Sequence, residues 1–339
     1  MPSKQQVHSF YGKKEAQFQL KRWKSKELVD SRKHIAREYR TKPWFLSFFK
    51  GVFSLQIGKP IQTVLDVGCG TGFFTRFISR DIVRLKKPAV VVGSDLNRNL
   101  LTVKKKQSAH GKNRIEFVQA SGYNLPFRSN SFDLVTCRTV LMWLSSPVIG
   151  VREMRRVARI GGFVACEEPD WGMTAYHDPT DLEFTKLDQK IQEAEIRGRG
   201  IAYGHNPAIG RRLPELFHDA GLRQIVLEGM FHSLRVPSDR RIRSFDLRKD
   251  FLDSLKHLSQ KDNLAQFKKA VLAGGISSAE FEKYLDNWRR LTKRKIRALR
   301  ESVNAKEDDK SFLAIPFFLA IGKKLDRDRN YRIDDHDRH

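Results

Sequence analysis

The sequence is poor in cysteine and lacks long apolar runs. Its three cysteines are an odd number without zinc-ligand spacing, which argues against a disulfide framework and gives no metal site. No stretch reaches the roughly 18 apolar residues of a membrane span, and the N-terminus lacks the apolar core of a secretory signal. We therefore expect no transmembrane segment, a cytoplasmic location, and buried thiols at Cys69, Cys137 and Cys166.

Acidic residues are also scarce relative to basic ones. Asp and Glu total 39 against 64 Lys and Arg, which gives a formal net charge of +25. The imbalance is densest in residues 1–60, where 14 basic side chains face 4 acidic ones. Such a segment can bind the phosphates of RNA or an anionic lipid surface, or it can simply be solvated. RNA is therefore a candidate partner beside a small molecule.

Apolar strands alternate with helices from residue 63 onward. The strand-like segments are apolar throughout instead of alternating with polar residues, which is typical of a parallel sheet covered by helices on both faces. We predict a doubly wound α/β fold with a mostly parallel, seven-stranded sheet. The predicted strands are "TVLDV", "AVVVGSD", "IEFVQA", "SFDLVTCR", "GFVACEEP", "RQIVLEGMF" and "PFFLAIGKK".

Three regions flank or interrupt this predicted sheet. Residues 1–60 combine helix formers with apolar positions at three- and four-residue spacing, which predicts a basic helical N-terminal segment. The sheet domain is predicted over residues 61–325, with a helical insertion at about 237–309 before the last strand. Residues 326–339 are polar and mixed in charge, as in a frayed tail, and we expect no metal site from their His and Asp residues.

Three glycines follow the first strand directly. Gly68, Gly70 and Gly72 have G-x-G-x-G spacing, whereas a dinucleotide turn requires its third glycine where Phe73 stands. A glycine turn between a strand and a helix brings backbone N–H groups to a ligand at the carboxyl edge of the sheet. The spacing therefore argues against NAD.

This turn resembles motif I of the class I S-adenosylmethionine-dependent methyltransferases, which have a Rossmann-like fold. The resemblance implies that the turn, including Cys69, passes under the methionine and ribose portions of S-adenosylmethionine, with Asp66 near the methionine amino group. Asp95, which ends the second strand before Leu96, resembles the family's ribose-binding acid, because a carboxylate accepts hydrogen bonds from two vicinal hydroxyls. Asp95 could also be a helix N-cap.

A later block extends the resemblance, which in total spans Thr63 to about Trp171. "NLPFRSNSFDLV" is similar to a block of the methyltransferase type 11 subfamily, which includes ubiquinone- and menaquinone-biosynthesis enzymes, where the preceding residues border adenine. The family often has an aspartate where this chain has Ser121, followed by Gly122. Adenine recognition would then fall to a hydroxyl or a backbone group.

The sequence says less about the methyl acceptor. After the fourth strand, DNA- and protein-amide methyltransferases carry an "NPPY"-type motif, whereas this chain has Cys137 and Arg138 followed by Thr139 and Val140. This difference disfavours DNA and protein amides as methyl acceptors. Arg138 is the last of the residues that we expect to bind the cofactor. Weak candidates for an acid or base near the acceptor are Glu168, Asp170 and His177, although solvated loop charges are the simpler interpretation. Other polar or aromatic candidates are Glu167, Trp171, Tyr176, Tyr203 and His205.

Helices outside the sheet are expected to cover the acceptor, as they do in that family. A capping box from Ser277 to Glu280 begins one such helix in the insertion. Its apolar face is predicted to hold Phe281, Tyr284, Leu285, Trp288 and Leu291. Aromatic residues that could line an acceptor pocket, or simply pack the cap, are Tyr11, Trp23, Trp44, Phe45 and Trp288.

The sequence thus predicts a methyltransferase that moves a methyl group from S-adenosylmethionine to a small organic acceptor by in-line displacement. Two alternatives stay open. In the first, the basic N-terminal segment clamps an RNA acceptor, whose binding would weaken steeply with added salt. In the second, the protein binds the cofactor without turnover. The sequence does not indicate an oligomeric state.

Overall fold

The computed structural model of the protein describes seven stretches of the chain. The predicted N-terminal segment, parts of the predicted insertion and nearly all of the tail lie outside them. The described residues are 61–82, 89–102, 109–110, 113–177, 181–235, 261–301 and 312–326.

One sheet dominates the described part of the chain. Its order is β3-β4-β2-β1-β5-β6-β9, and β9 also pairs with β7 and β8. The neighbouring strands β4, β2, β1, β5 and β6, in that order across the sheet, are parallel. β9 runs antiparallel to β6, β7 and β8. The doubly wound, mostly parallel sheet is confirmed, and β3 and β7 are short additions to the seven predicted strands. The strands are β1 (Thr63–Val67), β2 (Val90–Asp95), β3 (Ala109–His110), β4 (Asn113–Gln119), β5 (Phe132–Arg138), β6 (Ala158–Pro169), β7 (Ala175–His177), β8 (Arg223–Arg235) and β9 (Phe312–Lys323).

Helices connect and flank these strands. None in the described part of the chain is long and apolar enough to cross a lipid bilayer. One predicted boundary is wrong: the helix expected to run through His110 ends earlier, because Ala109 and His110 form β3 against β4. The helices are α1 (Phe73–Phe77, continued by a π-helical turn at Ile78–Ile82), α2 (Arg98–Thr102), α3 (Pro147–Val157), α4 (Leu182–Tyr203), α5 (Leu213–Asp219), α6 (Lys261–Ala273) and α7 (Ser278–Glu301), with 3₁₀ turns at Leu141–Trp143, Trp171–Met173 and Gly210–Arg212.

Each central strand is buried on both faces. Successive residues of β1, Val64 and Leu65, are fully buried and belong to two different apolar clusters. Leu134 and Val135 of β5 divide in the same way. Because neighbouring side chains of a strand point to opposite faces, a strand covered on both sides must be apolar throughout. The predicted pattern and the observed layering therefore agree.

A third apolar cluster lies outside the sheet, among α4, α6 and α7, here called the helical cap. Its buried members include Phe184 of α4, Phe267 of α6 and Phe281 of α7. α6 and α7 fall within the predicted insertion. Ser277 caps α7 as predicted, since its Oγ accepts the Glu280 N–H at 3.2 Å, whereas Glu280 Oε1 accepts from Lys190 Nζ of α4. α4 was not predicted, although it is one of the three helices of the cap.

Candidate functional site

The chain leaves β1 through a turn at residues 68–72 whose conformation requires glycine. Gly68, Gly70 and Gly72 have φ angles of 68°, 52° and 69°, in the left-handed region that other L-residues enter at a cost of about 1–2 kcal/mol. The turn is closed by the Gly72 N–H, which donates to the Cys69 carbonyl at 2.7 Å. It is tied to β2 by the Cys69 N–H, which donates to the Ser94 carbonyl at 2.8 Å.

Bare backbone is also a steric requirement at the first of these glycines. A Cβ on Gly68 would lie 2.4 Å from Cγ2 of Val140, in the turn after β5. The glycine turn and the turn after β5 are therefore in van der Waals contact. We call the two together, with Asp95, the cofactor cradle.

Asp95 lies beside the glycine turn at the end of β2. Its Oδ2 accepts the Gly70 N–H at 2.7 Å, and its Oδ1 accepts the Asn97 N–H at 2.8 Å. Asp95 thus makes a local turn with Asn97, as a capping residue would, and also holds the cradle. Each carboxylate oxygen retains capacity for a second hydrogen bond, which a ribose hydroxyl could donate.

The other predicted cofactor residues meet at the same edge of the sheet. Buried Asp66 accepts a hydrogen bond from Thr75 Oγ1 of α1 at 2.5 Å, and the Leu96 carbonyl accepts one from Gln119 Nε2 at 3.0 Å. Ser121 Oγ accepts the Tyr123 N–H at 3.2 Å. A Cβ on the next residue, Gly122, would lie 3.7 Å from the Val67 side chain at the end of β1. Segments more than fifty residues apart are therefore neighbours at the point where the strand order reverses, a common ligand site in such sheets.

A buried ion pair joins the ends of β5 and β6. Arg138 Nε lies 2.8 Å from Glu167 Oε2, with side-chain exposures of 12% and 2%. Burial raises the pKa of Glu167, and the neighbouring Arg138 partly opposes that increase. The Arg138 guanidinium also lies 5.9 Å from the Phe74 ring centroid, which links this pair to the helix after the glycine turn.

Glu168 and Asp170 are not the solvated loop charges that the sequence also allowed, because both are fully buried. Glu168 Oε1 accepts the N–H groups of Val140 and Leu141 at 2.8 Å each, and Oε2 accepts the Met142 N–H at 3.4 Å. Burial raises the pKa of Glu168 to about 7, although these hydrogen bonds oppose the shift.

Asp170 is held by Arg211, whose Nε and Nη2 donate to Oδ2 and Oδ1 at 2.6 and 2.7 Å. The Gly172 N–H donates to Oδ1 as well. The Arg211 backbone N–H donates to Oδ2 at 3.2 Å. These contacts favour a structural role for Asp170, because each of its carboxylate oxygens already accepts two hydrogen bonds. His177 and Tyr176 lie in β7 instead of a loop, opposite Phe312 and Leu313 of β9. Their side chains are outside the described part.

The turn after β5 holds two features that sequence reasoning missed. Thr139 has a φ of 52°, unusual for a β-branched residue, and its N–H donates to the Glu167 carbonyl at 2.8 Å. Residues in such regions cluster at functional sites and cost of order 1–3 kcal/mol. Val140 is the second feature, through its contact with Gly68. No local signal identifies either residue, since the contacts join distant segments.

The cap meets the sheet at this same turn. His205, just after α4, is buried, and its ring lies 5.4 Å from that of Trp143 and 5.9 Å from that of Tyr203. The Asn206 N–H donates to the Met142 carbonyl at 3.0 Å. The weakly predicted Tyr203 and His205 are therefore brought to the site's edge, within the joint between cap and sheet. Trp171 of the turn after β6 is 39% exposed, and its backbone N–H donates to the Pro207 carbonyl at 3.1 Å.

Comparisons with known proteins find similarity to methyltransferases. Residues 65–166 match the sequence model of a methyltransferase domain. An uncharacterized methyltransferase of Schizosaccharomyces pombe, C1B3.06c, is 31% identical over 168 residues, covering 48% of this chain and 56% of that protein. A demethylmenaquinone methyltransferase of Oceanobacillus iheyensis is 34% identical over 140 residues, covering 41% and 56%. The chain thus spans about half the length of these curated relatives.

A solved structure of Haemonchus contortus phosphoethanolamine N-methyltransferase 2 in complex with S-adenosyl-L-methionine aligns with 18% identity and a TM-score of 0.41, covering 84% of this chain and 53% of that one. The matched residues 65–166 run from β1 into β6 and include every predicted cofactor-binding residue. Residues 65–166 of the chain therefore resemble a methyltransferase domain.

Proposed function

We propose that the protein transfers a methyl group from S-adenosylmethionine to a small organic acceptor. The observation that carries this proposal is the cradle, in which three left-handed glycines and a contact too close for a Cβ keep the backbone bare beside Asp95. When bound, S-adenosylmethionine supplies an electrophilic methyl group on a sulfonium. Residues 68–72 and Asp95 would hold its ribose and methionine portions, and Ser121 and Gly122 would border its adenine.

The chain's own contribution to catalysis would be positioning. In-line displacement requires the acceptor atom to be held behind the methyl group with water excluded. At the carboxyl edge, the segment that follows α4 of the helical cap contacts the turn after β5 through the Asn206 N–H and the Met142 carbonyl, and these parts are suited to both tasks. We assign no general base, because an acceptor such as a thiol or a free amine does not require one.

Cofactor binding is tested by calorimetry with S-adenosylhomocysteine. Wild type should bind, and Gly70→Leu should lose at least about a hundredfold in affinity, because the side chain would fill the cradle. Gly161→Leu is the matched control, since Gly161 is also left-handed at φ 76° but no atom of the described residues lies within 4 Å of its Cβ position. Failure of wild type to bind, or equal binding by Gly70→Leu, would contradict the proposal.

An RNA acceptor is a second candidate, favoured by the net charge of +25. Incubation of the full chain with methyl-labelled cofactor, a small-molecule extract and a bulk tRNA fraction separates the alternatives. Label in the small-molecule fraction supports the first proposal. Label in tRNA that declines steeply with salt would support the RNA alternative. Cofactor binding without label in either fraction would favour a scaffold.

A further inference from the structure

Glu168 makes an unusual set of contacts for a carboxylate at the end of a strand. Its side chain is fully buried and accepts hydrogen bonds from the three consecutive backbone N–H groups of Val140, Leu141 and Met142. These residues begin the 3₁₀ turn after β5. The Cys137 thiol at the end of β5 also donates to Oε1, with its Sγ at 4.0 Å. Orphan N–H groups at the start of a helical turn are normally bound by a nearby side chain, and here a side chain from the neighbouring strand binds them.

The first of these donors leads directly to the cradle. The Val140 N–H is fixed by Glu168, and the Val140 side chain lies against Gly68, where even one added carbon would be 2.4 Å from Cγ2. The preceding residue, Thr139, is held in a left-handed conformation by the neighbouring Glu167 carbonyl. Two adjacent residues of β6 therefore set the backbone of the turn that borders the glycine turn.

We propose that Glu168 is a positioning residue for the cofactor cradle, which it holds in shape through Val140. This inference rests on the proposed function, and it differs from the sequence-based hypothesis that Glu168 is an acid or base. A proton-transfer role would require a carboxyl oxygen directed at the acceptor. The positioning role requires only that the three N–H groups keep an acceptor, and it predicts an effect on cofactor binding itself.

The test compares S-adenosylhomocysteine affinity across variants by calorimetry, with thermal unfolding measured in parallel. Glu168→Ala should weaken binding about tenfold or more, since it leaves buried N–H groups without an acceptor and frees Val140. Glu168→Gln should bind within about threefold of wild type, because its amide oxygen can still accept from Val140 and Leu141. Loss in the alanine variant with rescue by glutamine is the expected signature.

Asp133→Ala is the matched control. Asp133 also accepts two backbone N–H groups, those of Gln62 and Thr63, but it does so at the amino end of the sheet. This variant should have a lower thermal midpoint and unchanged affinity. Val140→Ala gives an independent measurement if Glu168→Ala does not fold, because it removes the contact with Gly68 and leaves the Glu168 hydrogen bonds in place.

The outcomes separate the two proposals. If wild type binds S-adenosylhomocysteine and Glu168→Ala or Val140→Ala binds equally well, the positioning role is wrong and the proposed function stands. If Glu168→Gln loses as much affinity as Glu168→Ala, the carboxylate charge matters more than its acceptor geometry, and the positioning role is likewise wrong. Absence of binding by wild type would overturn the proposed function and this inference with it.

Discussion

The cofactor cradle and the helical cap are held together by different kinds of atoms. At the cradle, the carboxylates of Asp95 and Glu168 bind backbone N–H groups. In the cap, buried Asp188 accepts hydrogen bonds from two side chains, those of Tyr284 and Gln192, and the Tyr284 ring stacks on that of Phe184. The cradle therefore depends on backbone geometry, whereas the cap depends on side-chain identity. A cap of this kind can change its lining without moving the cradle.

The largest expected effect is a loss of stability in the helical cap alone. A Cβ on Gly198 of α4 would lie 1.6 Å from the Ala270 carbonyl oxygen of α6, so Gly198→Val should destabilise the cap by about 3 kcal/mol or more. Thermal unfolding should show a midpoint several degrees lower, while S-adenosylhomocysteine affinity should be retained.

Gly200→Ala is the matched control on the same helix. Its Cβ would lie 3.7 Å from the His205 carbonyl oxygen, an ordinary van der Waals distance, so the variant should gain about 0.5–1 kcal/mol from helix propensity. If Gly198→Val abolished cofactor binding in a protein that is still folded, cap and cradle would not be independent.

The next effect breaks the contact between the turn after β6 and the segment that follows α4 of the cap. The Arg211 side chain is bound to fully buried Asp170 by two hydrogen bonds, so Arg211→Ala leaves a buried carboxylate without its cation. Removing one partner of a buried pair costs 3–5 kcal/mol, and because the Arg211 side chain is 49% exposed we expect about 2 kcal/mol. The control, Arg212→Ala, removes an exposed pair with Glu215 and should leave the thermal midpoint unchanged. Equal stability of both variants would contradict a structural role for Asp170.

The smallest expected effect is the pH dependence of stability that Asp188 gives the helical cap. Burial raises the pKa of Asp188 to about 6 from its ordinary 3.8, although hydrogen bonds from Tyr284 and Gln192 oppose the shift. The folded protein therefore binds this proton more tightly than the unfolded chain, and the contribution of Asp188 to stability falls as pH rises from about 4 to 6.

Asp188→Asn should remove that component. We expect its unfolding free energy, relative to wild type, to increase by about 1 kcal/mol between pH 5 and pH 7 in urea titrations. Glu168 titrates in the same range, but it is present in both proteins, so the difference isolates Asp188. A difference that did not change with pH would show that Asp188 has its ordinary pKa.

Sequence reasoning predicted the parts of the fold whose signals are local. Every central strand was identified, because burial on both faces makes it apolar over its whole length. The glycine turn was identified because left-handed backbone needs Gly68, Gly70 and Gly72. The amphipathic face of α7 was also correct, and Phe281, Tyr284 and Leu285 are buried.

The features that were missed depend on contacts between segments. α4 was not predicted, since Gly198 and Gly200 lower helix propensity, yet Gly198 is the residue that allows α4 to approach α6. β7 was interpreted as a loop because its pairing partner, β9, lies more than 130 residues away. The interaction of Glu168 with Val140 likewise has no counterpart in the spacing of residues, so its burial could not be anticipated.

The position of β9 constrains the order in which the protein can assemble. β9 follows α7 in the chain, yet it lies between β6 and β8, and in the described residues β8 pairs with β9 alone. Until β9 arrives, β6 presents an open edge and β8 has no strand to join, which exposes both to association with other chains. Because such long-range pairing forms late and slowly, we expect the rate of folding to be limited by the docking of this strand, after the glycine turn has already formed.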